Sequence, residues 1–319
     1  MKKHVHFLFA LAALAVLAIP AACYAEALPA EEEPVYNYEE VPLEREGIEL
    51  HLDRVTLADV EPVDNILLVH GLTYSSHEFD IDYEDYSLVR LLAREGYAVW
   101  RIDVAGYGRS GEVEDGFTPD SDYAAEDINA AVEKIVEETG TDTVDVLGWS
   151  WGTVTGGRFA AKYPEHVDRL VLYAPILSGL GEYEVTDDFH YNTWEHAADD
   201  FQKEEDGDFD LSVTDPVIIE MYCSSCWHYD RDYSPNGGRR DLCVDETEKL
   251  IDLDAIEAPT LVICGDQDPY LNYELVDTVL DDLPEGSELK EIPGASHVLF
   301  LEEPYYHEFQ DTVLAFLKN

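Results

Sequence analysis

Ten consecutive residues constrain this chain more than any others: Thr143-Val-Asp-Val-Leu-Gly-Trp-Ser-Trp-Gly152. An apolar run ends in Gly-Trp-Ser-Trp-Gly, and a helical pattern starts at once. A serine on a sharp turn between strand and helix presents its hydroxyl beside the free backbone N–H groups of the helix start. Nucleophilic chemistry asks for that geometry. A serine hydroxyl is a weak nucleophile unless a base reaches it and donors wait for the developing oxyanion. Glycines on both sides let the backbone turn tightly. A small-residue loop closing a parallel strand could use the same five letters, so the rest of the chain has to separate the two readings.

The rest of the chain repeats a strand–helix rhythm. Asn65-Ile-Leu-Leu-Val-His-Gly71 is a continuous apolar run of the kind buried on both faces of a sheet, and it opens into a polar, aromatic loop, Leu72 to Tyr83. Helical spacing over 86–95 stops at Gly96, and Tyr97 to Val104 is the next strand. A helix is expected over 121–139 with acidic residues at its start and Gly140 after its end. Strands over 143–149, 167–174, 259–265 and 288–292 follow, with helices over 151–163, 271–283 and 303–318. Strands alternating with helices imply βαβ units and a mostly parallel sheet. Residues 41–59 alternate weakly, as an opening hairpin would, and 26–40 read as a flexible acidic leader. The rhythm breaks over 178–252, a stretch rich in acids, aromatics and cysteine, which reads as a cap inserted between two core segments, 41–177 and 253–319.

Charge excludes whole classes of function. Nineteen Lys+Arg stand against 70 Asp+Glu, a formal net charge of −51. Such a chain repels phosphate backbones and anionic membranes, which argues against a nucleic-acid partner. It suits high salt, where screening relieves self-repulsion. Residues 1–25 combine a short basic start, an apolar run from Phe7 to Ala22 and small residues before Ala25, the pattern of a secretory signal peptide. Export to the periplasm or the outside is therefore expected, with lipid attachment at Cys23 as the alternative. No other stretch is long and apolar enough to span a bilayer.

In an exported chain, Cys243 is expected to form a disulfide with Cys223 or Cys226. A zinc site from Cys223, Cys226, His228 and Cys243 is the minority alternative, and Cys264 reads as a buried thiol.

Five motifs at strand ends now fall in one order: His70-Gly71; Asp103-x-x-Gly106-x-Gly108-x-Ser110; Gly148-x-Ser150-x-Gly152; Gly265-Asp-Gln-Asp268; and Gly294-Ala-Ser-His297. Together they resemble the α/β-hydrolase family over nearly all of residues 41–319. The resemblance implies a mostly parallel sheet flanked by helices, with a helical cap. It also implies Ser150 as nucleophile, His297 as base and Asp268 as the acid that orients it, with Asp266 the other acid in that loop and better suited to turn hydrogen bonding. The backbone N–H groups of Leu72 and Trp151 would hold the oxyanion, and His70, Asp103 and Ser110 would shape loops. Trp194, Tyr222 and Trp227 would line an apolar substrate site, or else form the cap's own small core. The expected reaction is hydrolysis of a carboxylic ester of a small or medium apolar acid through an acyl-enzyme, without a cofactor. The elbow also resembles that of proline iminopeptidases, which makes an aminopeptidase acting on short peptides the runner-up. Thioester or carbon–carbon hydrolysis shares the triad, and a non-catalytic ligand-binding protein of this fold is the alternative of another class. The oligomeric state is not legible.

Overall fold

The parallel core follows from strands that are apolar on both faces. A computed structural model describes residues 34–230 and 232–319; residues 1–25, read from the sequence as a signal peptide, and Cys23 with them, lie outside these. The elements run β1 (Tyr36–Glu40), β2 (Leu43–Arg45), β3 (Ile48–Leu50), β4 (Leu52–Leu57), β5 (Asp64–Val69), α1 (Leu88–Arg94), β6 (Tyr97–Ile102), α2 (Ser121–Thr139), β7 (Val144–Trp149), α3 (Trp151–Lys162) and β8 (Val167–Tyr173). After them come β9 (Phe189–Tyr191), α4 (Trp194–Ala197), α5 (Pro216–Tyr229), β10 (Tyr233–Pro235), α6 (Gly237–Leu242), β11 (Thr260–Gly265), α7 (Tyr273–Val276), β12 (Glu288–Ile292) and α8 (Tyr305–Leu317). The main sheet has eight strands in the order β1-β4-β6-β5-β7-β8-β11-β12. β1 and β4 pair antiparallel at one edge, and the six strands from β6 to β12 are parallel.

Alternation along each strand divides the core between two faces. On β5, Ile66 and Leu68 pack on one side with Leu88, Val89 of α1 and Phe309, Val313 of α8. Leu67 and Val69 pack on the other with Ile128, Val132 of α2 and Val154, Phe159 of α3. Period-two side chains make this two-layer covering obligatory for a parallel sheet. The caps foreseen for α2 are present: the Asp120 side chain accepts from Tyr123 N–H at 2.9 Å, and Gly140 takes φ 73°. Such an N-cap stabilises a helix by about 1 kcal/mol.

Chain order reverses at β5, with β6 on one side and β7 on the other. The crevice outside the C-terminal ends of strands at such a switch point is where open α/β sheets bind ligands. His70-Gly71 leaves β5 there, and Ser150 leaves β7.

Two sequence expectations are corrected. Of the leader expected over 26–40, residues 26–33 lie outside the described residues and its end is β1, in which Tyr36 pairs with Leu57 and Glu40 with Asp53. An edge strand needs a backbone ladder and only one covered side, which Tyr36 and Tyr38 supply by lying against Arg90 and Arg101. The helix expected over 271–283 is only α7 and a separate 3-10 turn, Val279–Asp281. Asn272 caps the start, and the acid-rich stretch after Val276 lacks a continuous apolar stripe.

Residues 178–252 carry α4, α5, α6 and a two-stranded ribbon of β9 with β10. α5 buries Ile218, Ile219, Tyr222, Cys223 and Cys226, one helical face, into the same core layer as α1 and α8. This placement overturns the expected disulfide. Cys223, Cys226 and Cys243 are all free thiols, the first two turned into that layer and Cys243 at the end of α6.

Candidate active site

Ser150 sits between β7 and α3 with φ 56° and ψ −120°, a conformation that costs a non-glycine residue on the order of 1–3 kcal/mol. The turn is possible because its flanks are glycine. A Cβ on Gly152 would lie 2.4 Å from the Val69 carbonyl oxygen, so the helix start can press against β5 only without a side chain. Trp151, as the first residue of α3, has an N–H with no partner inside the helix, and Leu72 lines the cavity that contains Ser150. The oxyanion donors that the resemblance implies, the N–H groups of Leu72 and Trp151, thus belong one to a residue of the cavity wall and one to the first turn of α3.

His297 lies in the loop between β12 and α8 and shares that cavity with Ser150. Its Nδ1 is hydrogen-bonded at 2.8 Å to Oδ2 of Asp268, whose Oδ1 accepts from Tyr270 N–H at 2.9 Å. Asp268 and His297 are both buried. Burial works to lower the imidazole pKa, but the Asp268 charge and hydrogen bond, with Asp200 and Glu302 beyond, outweigh it and leave it raised. Asp266 points elsewhere, accepting from Gly294 N–H at 2.7 Å, a turn role. The loop on which His297 rides is held by a side chain of the elbow motif itself and by residues that no motif marks. Trp149 Nε1 and Tyr173 Oη both donate to its carbonyl, at 3.1 and 2.8 Å. Buried Glu302 accepts from both the N–H and the hydroxyl of Ser296.

His70 and Asp103 shape loops. His70 is fully buried, with Nδ1 on the Gly71 carbonyl at 2.7 Å and Nε2 accepting from Val104 N–H at 3.0 Å, so one ring braces two strand-end loops in its neutral form. Burial holds its pKa down. Asp103 accepts from Ser76 and from Arg109 N–H, while Ser110 donates to the Asp103 carbonyl. Glu78, unnoticed in the sequence, is fully buried and accepts from Gly71 N–H and Tyr222 Oη at 3.4 and 2.9 Å. Burial pushes its carboxyl well above the ordinary range.

The cavity measures about 490 Å³ and is lined on its apolar side by Ile176, Leu180, Tyr183 and Leu242. Trp194, Tyr222 and Trp227 are not among its walls, which corrects the expected substrate site. Tyr222 is core, and Trp194 and Trp227 are 41% and 42% exposed. Trp151 is core as well, its Nε1 donating to Ser121 Oγ at 2.9 Å. Arg239, Asp199, Asp200 and Tyr270 also line the cavity, and no sequence motif marks them. Among the described residues one set of donors could converge on a metal ion, His77, Cys226 and Asp230, within 4.8 Å of one another. It is not the set read from the sequence, because Cys243 lies at the cavity and His228 packs on Tyr229.

An eight-stranded sheet of this order, with a strained serine at a strand-to-helix elbow, defines an α/β-hydrolase. A family model described as serine aminopeptidase, S33 (Hydrolase_4) matches residues 60–304, and the chain belongs to that family. It is 24% identical to a bifunctional esterase/perhydrolase of Acinetobacter calcoaceticus over 276 residues, 80% of this chain and 91% of that one. Over 277 residues it is 22% identical to epoxide hydrolase 1 of Caenorhabditis elegans, covering 78% of this chain but only 63% of that protein. The crystal structure of carboxylesterase CesB from Bacillus subtilis superposes with TM-score 0.60 at 17% identity, covering 88% of this chain and 92% of that one.

Proposed function

We propose that the protein is a serine hydrolase that cleaves a carboxylic ester through an acyl-enzyme. The observation that carries this reading is the Asp268–His297 hydrogen bond opening into the same cavity as a serine strained onto a helix start. Nδ1 is taken by Asp268, so Nε2 is the nitrogen left to act on Ser150. The Ser150 oxygen attacks the ester carbonyl while His297 takes its proton, and Leu72 and Trp151 N–H groups hold the oxyanion. The proton then goes to the departing alkoxide. Water, deprotonated by the same imidazole, releases the acid and restores the serine.

An epoxide hydrolase with an aspartate nucleophile has no counterpart for that residue here, since Ser150 stands at the elbow. The aminopeptidase reading draws on the name of the family and on Asp199 and Asp200 in the cavity. Both acids are engaged, however: Asp199 with Lys203 Nζ at 2.6 Å and Asp200 with Tyr270 Oη at 3.0 Å. The same wall carries the cation of Arg239, with no carboxylate oxygen of the described residues within 4 Å of it, and that cation repels a substrate ammonium. Ester cleavage is therefore preferred. A fluorophosphonate probe should label the protein and lose all labelling in Ser150→Ala; an unlabelled wild type at neutral pH would favour a ligand-binding role. Faster turnover of aminoacyl-naphthylamides than of p-nitrophenyl esters would favour the aminopeptidase. Export, the expectation from residues 1–25, is part of the same proposal, and fractionation of producing cells tests it.

A further inference from the structure

In a chain with 70 acidic and 19 basic side chains, a cation without a carboxylate beside it needs a reason. Among the described residues, all lysines and arginines but three have a carboxylate oxygen within 4 Å. Two of the three lie on rings, Arg169 against Phe316 and Arg240 over Phe117. The third, Arg239, lines the cavity of Ser150. Among the described residues its side-chain hydrogen bonds are to neutral acceptors, Asn236 Oδ1 at 2.5 Å and Thr73 Oγ1 at 2.9 Å. A guanidinium carries five N–H donors in a fork that fits a carboxylate, so much of this one is left to spend.

The fold delivers Arg239 to this place deliberately tightly. At Gly238 a Cβ would stand 2.5 Å from the Trp151 ring, so α6 rests on the residue that follows the elbow serine, and the next side chain reaches Thr73, next to Leu72. The charge is felt along the wall. Burial and then Arg239 hold down the pKa values of His190 and His196, the second of which lines the cavity. Asp199 and Asp200, the acids of the same cavity, are already occupied by Lys203 and Tyr270.

We infer that Arg239 binds a carboxylate carried by the substrate, so that the hydrolase reading, on which this rests, narrows to esters that bear an ionised carboxyl group. The apolar wall of Ile176, Leu180 and Leu242 then takes the hydrocarbon between the two ends, and the reaction itself is unchanged.

The test compares mono-p-nitrophenyl glutarate with p-nitrophenyl valerate, esters of similar length that differ in the terminal carboxylate. Wild type is expected to favour the charged ester in kcat/KM by on the order of tenfold or more, chiefly through KM. Arg239→Gln should erase that ratio, and Arg239→Lys should recover part of it. No preference in wild type, or equal losses on both esters in Arg239→Gln, would overturn the inference and leave the arginine as a brace for Thr73. Turnover of neither ester would be the failure of the hydrolase reading instead. Calorimetric binding of glutarate to Ser150→Ala, lost when Arg239→Gln is added, still decides the arginine in that case; absence of binding to Ser150→Ala alone overturns it.

Discussion

Two Ser–His–Asp trios stand out among the described residues, and by hydrogen bonding alone the one away from the cavity looks better made. Ser225 Oγ is 2.7 Å from His77 Nδ1, and His77 Nε2 is 2.5 Å from Asp230 Oδ2. In the trio of Ser150, His297 and Asp268, it is the imidazole and the acid that are hydrogen-bonded, at 2.8 Å. What separates them is everything around the serine. Ser225 lies inside α5, where each neighbouring N–H is committed to the helix, and its imidazole is spent on both nitrogens while Tyr229 stacks on the ring at 5.3 Å. Ser150 has a strained turn, a helix start, a facing loop and a cavity of substrate size. A relay without oxyanion donors or room for a carbonyl is a fastener. Here it ties the cap helix to the 76–79 turn after β5.

The sharpest way to break this comparison is to remove each serine. Ser150→Ala should lower ester kcat by about 10^6-fold, the scale seen when such a nucleophile is lost, whereas Ser225→Ala should change it less than about threefold. If Ser225→Ala abolished fluorophosphonate labelling, the two roles would have to be exchanged. Replacing the acids comes next in size. Asp268→Asn should cost on the order of 10^4 in kcat by presenting the wrong tautomer, and about 1–3 kcal/mol of stability because buried His297 loses its charged partner. Asp230→Asn should leave kcat within a few-fold and act on thermal melting instead, destabilising by about 1–3 kcal/mol because His77 loses a charged partner in a buried place.

The pH profile sharpens the contrast further. His297 acts as a base only when neutral, and its folded pKa is raised, so the acid limb of kcat/KM should lie above the ordinary histidine value of about 6.5. The same shift stabilises the fold below the unfolded pKa, and that contribution is lost as pH rises through the folded value. In residual activity of Asp268→Asn the limb should move down, because burial then acts without the opposing charge. A limb that stays put would mean that His297 does not set it. The smallest effect expected is on melting of Ser225→Ala, about 1 kcal/mol for one lost hydrogen bond, read from denaturant midpoints.

Much of the candidate site was legible because its constraints are local. Gly148 and Gly152 admit no side chain, strands buried on two faces must be apolar runs, and the acid and base sit in loops directly after strands. The insertion over 178–252 was legible, but which of its side chains turn inward was not, for the opposite reason. Tyr222 and Trp227 are the same kind of residue on one helix, yet one is core and the other exposed, a choice made by the surface on which α5 lands. The cysteines of α5 followed the buried face of that helix, which spacing in the sequence does not disclose. Arg239 carried no pattern at all. Its meaning lies in which acids are already paired, and that is a property of the folded surface. β1 was hidden by composition, since three of the last residues in its stretch are an aromatic and two glutamates.

The two ring donors that hold the His297 carbonyl come from adjacent strands, Trp149 on β7 and Tyr173 on β8, and β7 is also the strand that ends at Ser150. The elbow serine and the His297 loop are thus gauged from one common datum in the floor of the molecule. Whatever the roof does as molecules come and go, their mutual alignment is kept from beneath.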